Sequence, residues 1–252
     1  MKQFLKSAYL RCSSYLARDD GPKVIFYHDI GLSYTRMGTP FELFKDHVHM
    51  ARKHGWAISA GLPSKDRELM ICFDDGFRGL FEAKSYFLQE NIRPTVFIAV
   101  ELIGKPGYLT WGEILELQNE GFTFQSHTWS HQTLAGPMID ESPIEERTDE
   151  WFDRELRKSR EFLSDRLGRP ITSLCFPAGH YSDDVISRSE KAGYTHLYAS
   201  FPGVMPDCSS AGLPIVFPRC LVQNLVVSDF MAVLRGGMNP LRSRYVKQHY
   251  FK

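Results

Sequence analysis

A parallel α/β architecture with about seven strands is the fold class this sequence predicts. Three observations carry that reading: short β-type apolar runs alternate with helical patterns, most connections are brief, and no Pro/Ser-rich linker divides the chain. At 252 residues, with 43% hydrophobic, 13% aromatic and 24% charged side chains, the composition is that of one ordinary globular domain. Whole-chain disorder, collagen-like repetition and coiled coil are excluded, and no internal repeat of fixed period appears. The alternation fits an open doubly wound sheet as well as a closed or distorted barrel.

The elements follow in order. Val24-Ile25-Phe26-Tyr27-His28 is the first compact apolar run. Thr39-Pro40-Phe41-Glu42 reads as a helix start, with Thr as cap, Pro at the first helical position and Glu three residues after the cap. Phe41, Phe44, Val48 and Ala51 recur at helical spacing until Gly55. Residues 69–73 form a second strand that ends in Asp74-Asp75-Gly76. A helix with Phe77, Leu80, Phe81, Lys84 and Leu88 follows, Pro94 stops it, and residues 95–100 give a third strand. Thr110-Trp111-Gly112-Glu113 is a capping box for a helix closed by Gly121. Residues 122–126 are the fourth strand, and an acidic loop covers 136–150. Next comes a long helix with Phe152, Leu156, Leu163 and Leu167 on one face and Gly168 at its end. Residues 173–176 give the fifth strand, and Ser182 caps a helix that Gly193 closes. Residues 194–200 and 215–217 supply two more strands, and Ser228 starts a last helix ending at Gly236-Gly237.

Charge and cysteine content narrow the partners. Thirty basic residues balance thirty acidic ones, so nucleic acid is not an expected partner. Cys12, Cys72, Cys175, Cys208 and Cys220 are odd in number, scattered and without a Cys-x-x-Cys, which argues against a disulfide framework and a thiolate zinc site. Cys72 and Cys175 read as small buried hydrophobes, and the pattern suits a reducing compartment. Residues 1–22 form an amphipathic segment that lacks a convincing export signal, since Lys6 and Arg11 interrupt its apolar run. Its face of Phe4, Leu5, Ala8 and Leu16 is expected to pack on the domain rather than on a membrane. Residues 23–236 are the main domain, and 237–252 are a basic, solvated tail. No apolar stretch is long enough to span a bilayer, so a cytoplasmic location, with peripheral membrane association as a variant, is the expectation. Oligomeric state is not legible.

Chemically able residues stand at the C-terminal ends of several predicted strands: His28, Asp74 and Asp75, His127 and His131, Ala178, and Arg219. Parallel barrels and open α/β sheets build their active sites on that edge. Asp74 and Asp75 occupy adjacent positions and point in different directions, so one can ligate a metal while the other acts as a base. Taken alone, Asp75-Gly76 also reads as a turn. His127 and His131 are four apart, and one helical turn would bring both imidazoles to a single ion. With Asp75 they give three protein ligands and leave one position for water, which suits one divalent transition metal, zinc by default.

These residues resemble a known family. Cys72-Phe73-Asp74-Asp75-Gly76 and Ser126-His127-Thr128-Trp129-Ser130-His131 look like the first two motifs of the polysaccharide deacetylases (carbohydrate esterase family 4). Phe176-Pro177-Ala178-Gly179-His180-Tyr181 resembles the third motif of the branch that deacetylates poly-N-acetylglucosamine. Phe26-Tyr27-His28-Asp29 and Leu109-Thr110-Trp111 are similar to further segments of that branch, so the resemblance covers residues 24–222 in order. It implies a distorted (β/α) barrel of about seven strands and metal-dependent removal of acetyl groups from an N-acetylated saccharide. Asp74 then matches the catalytic base, Asp75, His127 and His131 the metal ligands, and the Ala178 N–H the oxyanion donor. Two departures follow. No late Leu-x-His supplies an acid, which leaves His28 or Asp74 itself to return the proton. Cys175 stands where many members carry an arginine, which leaves Arg219 as the candidate partner of Asp74. Trp111 and Trp129 are candidate sugar-stacking residues. A second reading is a carbohydrate-binding module that keeps the groove without turnover, and a third is a metallohydrolase for another acyl or phosphoryl substrate.

Overall fold

The computed structural model describes residues 2–17, 19–31, 37–137, 146–203, 205–206 and 215–251. Strands Lys23–Tyr27, Glu68–Phe73, Thr95–Ile98, Thr123–Ser126, Ser173–Cys175, His196–Ala199 and Ile215–Pro218 lie side by side, all parallel, in chain order. The segment that follows the last of them closes the sheet on itself. Ile215 to Pro218 pair with His196 to Ala199, and after one residue Cys220 and Leu221 pair with Ile25 and Phe26 of the first strand. One stretch of chain therefore borders both edges and changes partner at Arg219. The preceding Pro218 has no N–H to extend the earlier ladder. This closure selects the distorted barrel over the open sheet, because an open sheet would leave the first strand with a free edge or a different neighbour.

Strand parity then sorts side chains between the two surfaces. Ile25, Tyr27, Leu69, Ile71 and Phe73 face the helices and join the large outer core. Val24, Phe26, Met70, Cys72, Phe97, Cys175, Tyr198 and Phe217 fill the barrel interior as a second, separate cluster. Continuing each period by two residues carries the inward direction to His28, Asp74 and Arg219. The polar rim is thus an extension of the apolar interior, set by alternation alone.

Around the barrel, several predicted helix ends are found and others move. Thr110 and Glu113 form the expected capping box, and Ser182 Oγ accepts from the Val185 N–H at 3.2 Å. Thr39, by contrast, lies in a three-residue strand paired with Asp29–Gly31, so the helix Phe41–Lys53 begins without a side-chain cap. Ser228 falls inside the helix Val227–Leu234 rather than at its start. The helix expected after Phe77 is broken at Ala83 into Gly79–Glu82 and Lys84–Gln89. The long helix contains a π-helical turn, Arg154–Lys158, between Asp149–Asp153 and Ser159–Leu167, and Gly168 ends it at φ 62°.

Both chain ends differ from expectation. A helix, Lys2–Ala17, packs on Val227–Leu234 through Leu10, Ser13 and Ser14, with Arg11 Nε 2.7 Å from Asp229 Oδ1. Leu5, Ala8 and Leu16, three of the four residues expected to pack inward, are exposed instead; the side chain of Phe4 lies outside the described residues. Leu10, two serines and a charge pair meet the domain, and the expected apolar stripe does not. Nor are the last residues a free tail: Arg242–His249 is helical, and Tyr181 exchanges backbone hydrogen bonds with His249 and Phe251. Cys72, Cys175 and Cys220 are buried and Cys12 exposed, all as thiols; Cys208 and residues 138–145 of the acidic loop lie outside the described residues.

Candidate active site

Asp74, Asp75, His28, His127, His131, Ala178 and Arg219 all line one cavity of about 480 Å³ at the C-terminal rim of the barrel. They arrive from five strand ends and the turns after them, Asp74 with Asp75 from one and His127 with His131 from another, so the far-apart motifs converge. Trp111 and Trp129 do not reach this cavity. Both pack on Phe162, with ring centroids 5.8 and 5.5 Å away, and Trp129 Nε1 donates to Glu101 at 3.1 Å. They follow their elements outward, where the helix around Phe162 offers apolar surface.

Asp75 forms the centre of the imidazole group. Its Oδ1 lies 3.3 Å from His127 Nε2 and 3.0 Å from His131 Nε2, yet has no partner in hydrogen-bonding alignment although it is buried. Burial pushes the Asp75 carboxyl up, but the two histidines outweigh it and hold it well below the usual carboxylate range. On the far side of its ring, His127 Nδ1 donates to the Cys175 carbonyl at 2.8 Å, which leaves Nε2 as the ring nitrogen that faces Asp75. One carboxylate oxygen and two imidazole nitrogens within 4.8 Å of one another, with the buried oxygen in aligned hydrogen bonding to neither, fit a divalent cation.

The histidine pair is not helical, contrary to the spacing argument. After His127 the chain loops, with Thr128 at φ 72° and His131 at φ 67°. The Trp129 and Ser130 N–H groups donate to the fully buried Glu155 Oε2 at 3.1 and 2.9 Å, and the His131 N–H donates to Thr128 Oγ1 at 3.1 Å. These bonds replace helical ones and aim His131 at Asp75. Glu155 sits in the π turn, with Arg154 bonded to its other oxygen at 2.9 Å. Reading the sequence for chemistry misses Glu155, although a signal exists: a carboxylate stands on the otherwise apolar stripe of Phe152, Leu156 and Leu163.

Four of the seven non-glycine residues with positive φ among those described are Asp75, Thr128, His131 and Ala178, all at this site. Left-handed backbone is costly for side chains with a Cβ and persists where surroundings over-determine it. Two glycines make the turns possible. A Cβ on Gly76 would come within 2.8 Å of Ile98 Cγ2, and one on Gly179 within 2.6 Å of Ser200 Cβ. Asp75-Gly76 is therefore both a turn and a source of the carboxylate.

Asp74 is held differently. Arg219 Nη1 and Nη2 lie 2.7 and 2.8 Å from its two oxygens, a bidentate fork. Burial raises the Asp74 carboxyl, and the Arg219 charge and hydrogen bonds reverse this and lower it. The guanidinium rests over Phe26 at 4.2 Å and Phe97 at 5.2 Å, and its Nη2 approaches Cys175 Sγ at 2.7 Å. Burial holds the Cys175 thiol well above its ordinary value, so it stays neutral beside the pair. Asp74, His127 and Cys175 also lie close enough to suggest a second ion position. Asp74 is engaged by Arg219 through both oxygens and the thiol keeps its proton, so the Asp75 set is the better cage.

His28 Nδ1 lies 2.9 Å from Gln223 Oε1, and its ring meets Phe26 edge-on at 5.7 Å. Gln223 is a further residue the sequence did not single out. Among the described residues no helix is long and apolar enough to cross a membrane.

Comparisons with known proteins bear on the fold and the family. The sequence pattern described as "Polysaccharide deacetylase" matches residues 61–197, more than half of the chain. YxkH of Bacillus subtilis (strain 168), which is named for polysaccharide deacetylases, is 22% identical over 191 residues. That match covers 71% of this chain, and the chain spans 64% of the length of YxkH. Among solved structures, IcaB from Ammonifex degensii superimposes with a TM-score of 0.71 at 18% identity, covering 87% of this chain and 97% of that one. Streptococcus pyogenes deacetylase PplD in complex with acetate gives 0.70 at 17% identity, covering 85% and 98%. BC0361, a polysaccharide deacetylase from Bacillus cereus, gives 0.69 at 21% identity, covering 85% and 69%. At these identities the structural likeness concerns the fold, and the matched sequence pattern supplies the rest: the chain belongs to the polysaccharide deacetylase family.

Proposed function

We propose that this protein hydrolyses the acetamide of an N-acetylated saccharide, using a divalent transition metal held by Asp75, His127 and His131 and using Asp74 as general base. The observation that carries the reading is the division of labour between adjacent carboxylates. Asp75 Oδ1 faces two imidazole nitrogens, while both Asp74 oxygens face Arg219. A binding module has no need of both arrangements.

When bound, the ion polarises the acyl oxygen and lowers the pKa of water; zinc best suits one carboxylate and two imidazoles. Asp74, kept ionised by Arg219, takes a proton from the attacking water. The Ala178 N–H, presented by a left-handed residue at the cavity wall, is the donor assigned to the developing oxyanion, where one good donor contributes about 3 kcal/mol. The leaving amine needs a proton. His28, oriented by Gln223, and the newly protonated Asp74 both line the same cavity and can give it.

Acetate release from a panel of N-acetylated oligosaccharides and sugar precursors tests the reaction. Release that disappears in Asp74→Asn is expected. Saccharide binding without release from any panel member by the wild type would instead make this a binding module.

A further inference from the structure

We infer that the outer face of the Lys2–Ala17 helix docks the protein on the surface of an anionic lipid bilayer, beside the mouth of the active-site cavity. The inference goes beyond the reaction proposed above and does not depend on it.

The helix is turned inside out relative to an ordinary surface helix. Its inward side presents Leu10, Ser13 and Ser14, whereas Leu5, Tyr15 and Leu16 are 60%, 73% and 89% exposed. With Ala8, Tyr9 and the exposed Cys12 these recur at three- and four-residue intervals, so they form one stripe along the outer face. The exposed apolar surface does not stop at the helix. Met37 and Leu221, also exposed, line the active-site cavity with Tyr9, and exposed Val226 shares a smaller pocket with Lys6 and Leu10. Of the large apolar side chains exposed among the described residues, only Leu115 lies elsewhere. Contiguous patches of this kind mark interaction surfaces.

Charge identifies the occupant. The chain as a whole is neutral, yet residues 1–18 carry Lys2, Lys6, Arg11 and Arg18 with no acid. Residues 235–252 carry Arg235, Arg242, Arg244, Lys247 and Lys252, again with no acid. Both segments wall the same cavity, through Lys6, Tyr9 and Leu10 on one side and Leu241, Tyr245 and His249 on the other. The nearby Asp229 pairs with Arg11, so these two charges cancel and Arg11 adds no net charge to this face, and Asp229 also accepts from the Ser7 hydroxyl. A second copy of the chain would bring this basic frame against itself, since a two-fold interface pairs a patch with its own image. An anionic headgroup layer complements it, accepts the leucines below and suits tyrosines at the boundary.

The test is flotation of the full chain with vesicles of phosphatidylcholine alone or mixed with phosphatidylglycerol. No turnover is read, so its outcome is separate from that of the deacetylase assay. Wild-type protein should float with the mixed vesicles, far less with phosphatidylcholine alone, and less as salt rises. The variant Leu5→Ser/Tyr15→Ser/Leu16→Ser should keep its melting temperature and lose at least about tenfold in partitioning. Wild-type protein that stays soluble with mixed vesicles overturns the inference, as does a variant that floats as well as wild type. A concentration-dependent dimer that the variant abolishes, without vesicle binding, overturns it in favour of a second copy.

Discussion

Arg219 and Asp74 are 145 residues apart in sequence and meet inside the barrel as a two-bond fork, Nη1 to Oδ1 at 2.7 Å and Nη2 to Oδ2 at 2.8 Å. The guanidinium also lies beside Cys175, with Nη2 2.7 Å from its Sγ. It comes from the closing segment, and Arg219 lies outside the portion matched by the family pattern.

Removing the arginine while leaving the carboxylate buried should be severe. Arg219→Ala is expected to cost about 3–5 kcal/mol, because Asp74 keeps a desolvated charge without its partner. Arg219→Lys should fold better yet lose the fork, lowering kcat more than it raises KM. Urea denaturation and acetate-release kinetics check the two; a melting temperature unchanged in Arg219→Ala would show the pair to be unimportant for stability.

The carboxylates should separate by readout. Asp74→Asn is expected to retain metal and reduce acetate release by about 100-fold or more, the usual scale of general-base catalysis. Asp75→Asn and His131→Ala should lose metal itself, as measured by elemental analysis after gel filtration. Equal metal loss in Asp74→Asn would remove the division of labour proposed for the two residues.

Glu155 should matter without touching the reacting groups. Its Oε2 accepts from the Trp129 and Ser130 N–H groups, which fixes the loop that presents His131. Glu155→Ala is expected to weaken metal affinity about 10–100-fold, the range seen when groups that orient ligands are lost. Glu155→Gln, which keeps one acceptor oxygen, should recover part of it. Titration with zinc against a competing chelator measures both.

A buried histidine remote from the cation group should set an acid limit on stability. His47 accepts from the Tyr27 hydroxyl at 2.9 Å and donates to the Leu225 carbonyl at 2.7 Å, with its ring stacked on Phe230. Burial lowers its pKa from 6.5 to about 4. The unfolded chain therefore binds this proton more readily, so the neutral form contributes stability that is full above about 6.5 and lost as pH falls toward 4. The expected loss is roughly 3 kcal/mol at the acid end of that window. His47→Gln should flatten this part of the stability–pH curve in denaturant titrations, and an unchanged slope would assign it to other groups.

By itself the sequence determined the parallel α/β class, the seven strand positions, the Thr110 and Ser182 caps, and the rim on which Asp74, Asp75, His127 and His131 stand. Those features are local: side-chain periodicity, turn chemistry and capping act over a few residues, and strand parity carries them to the rim. Tertiary structure decided what depends on distant partners. Barrel closure at Arg219 excluded the open sheet and brought that arginine onto Asp74. The π turn placed Glu155 under the histidine loop, and Phe162 of the helix that follows it holds Trp111 and Trp129 away from the cavity. Docking through Leu10, Ser13, Ser14 and Arg11 turned the first helix's apolar stripe outward. An amphipathic pattern states that a face is apolar, but only the surface it meets decides which face is buried.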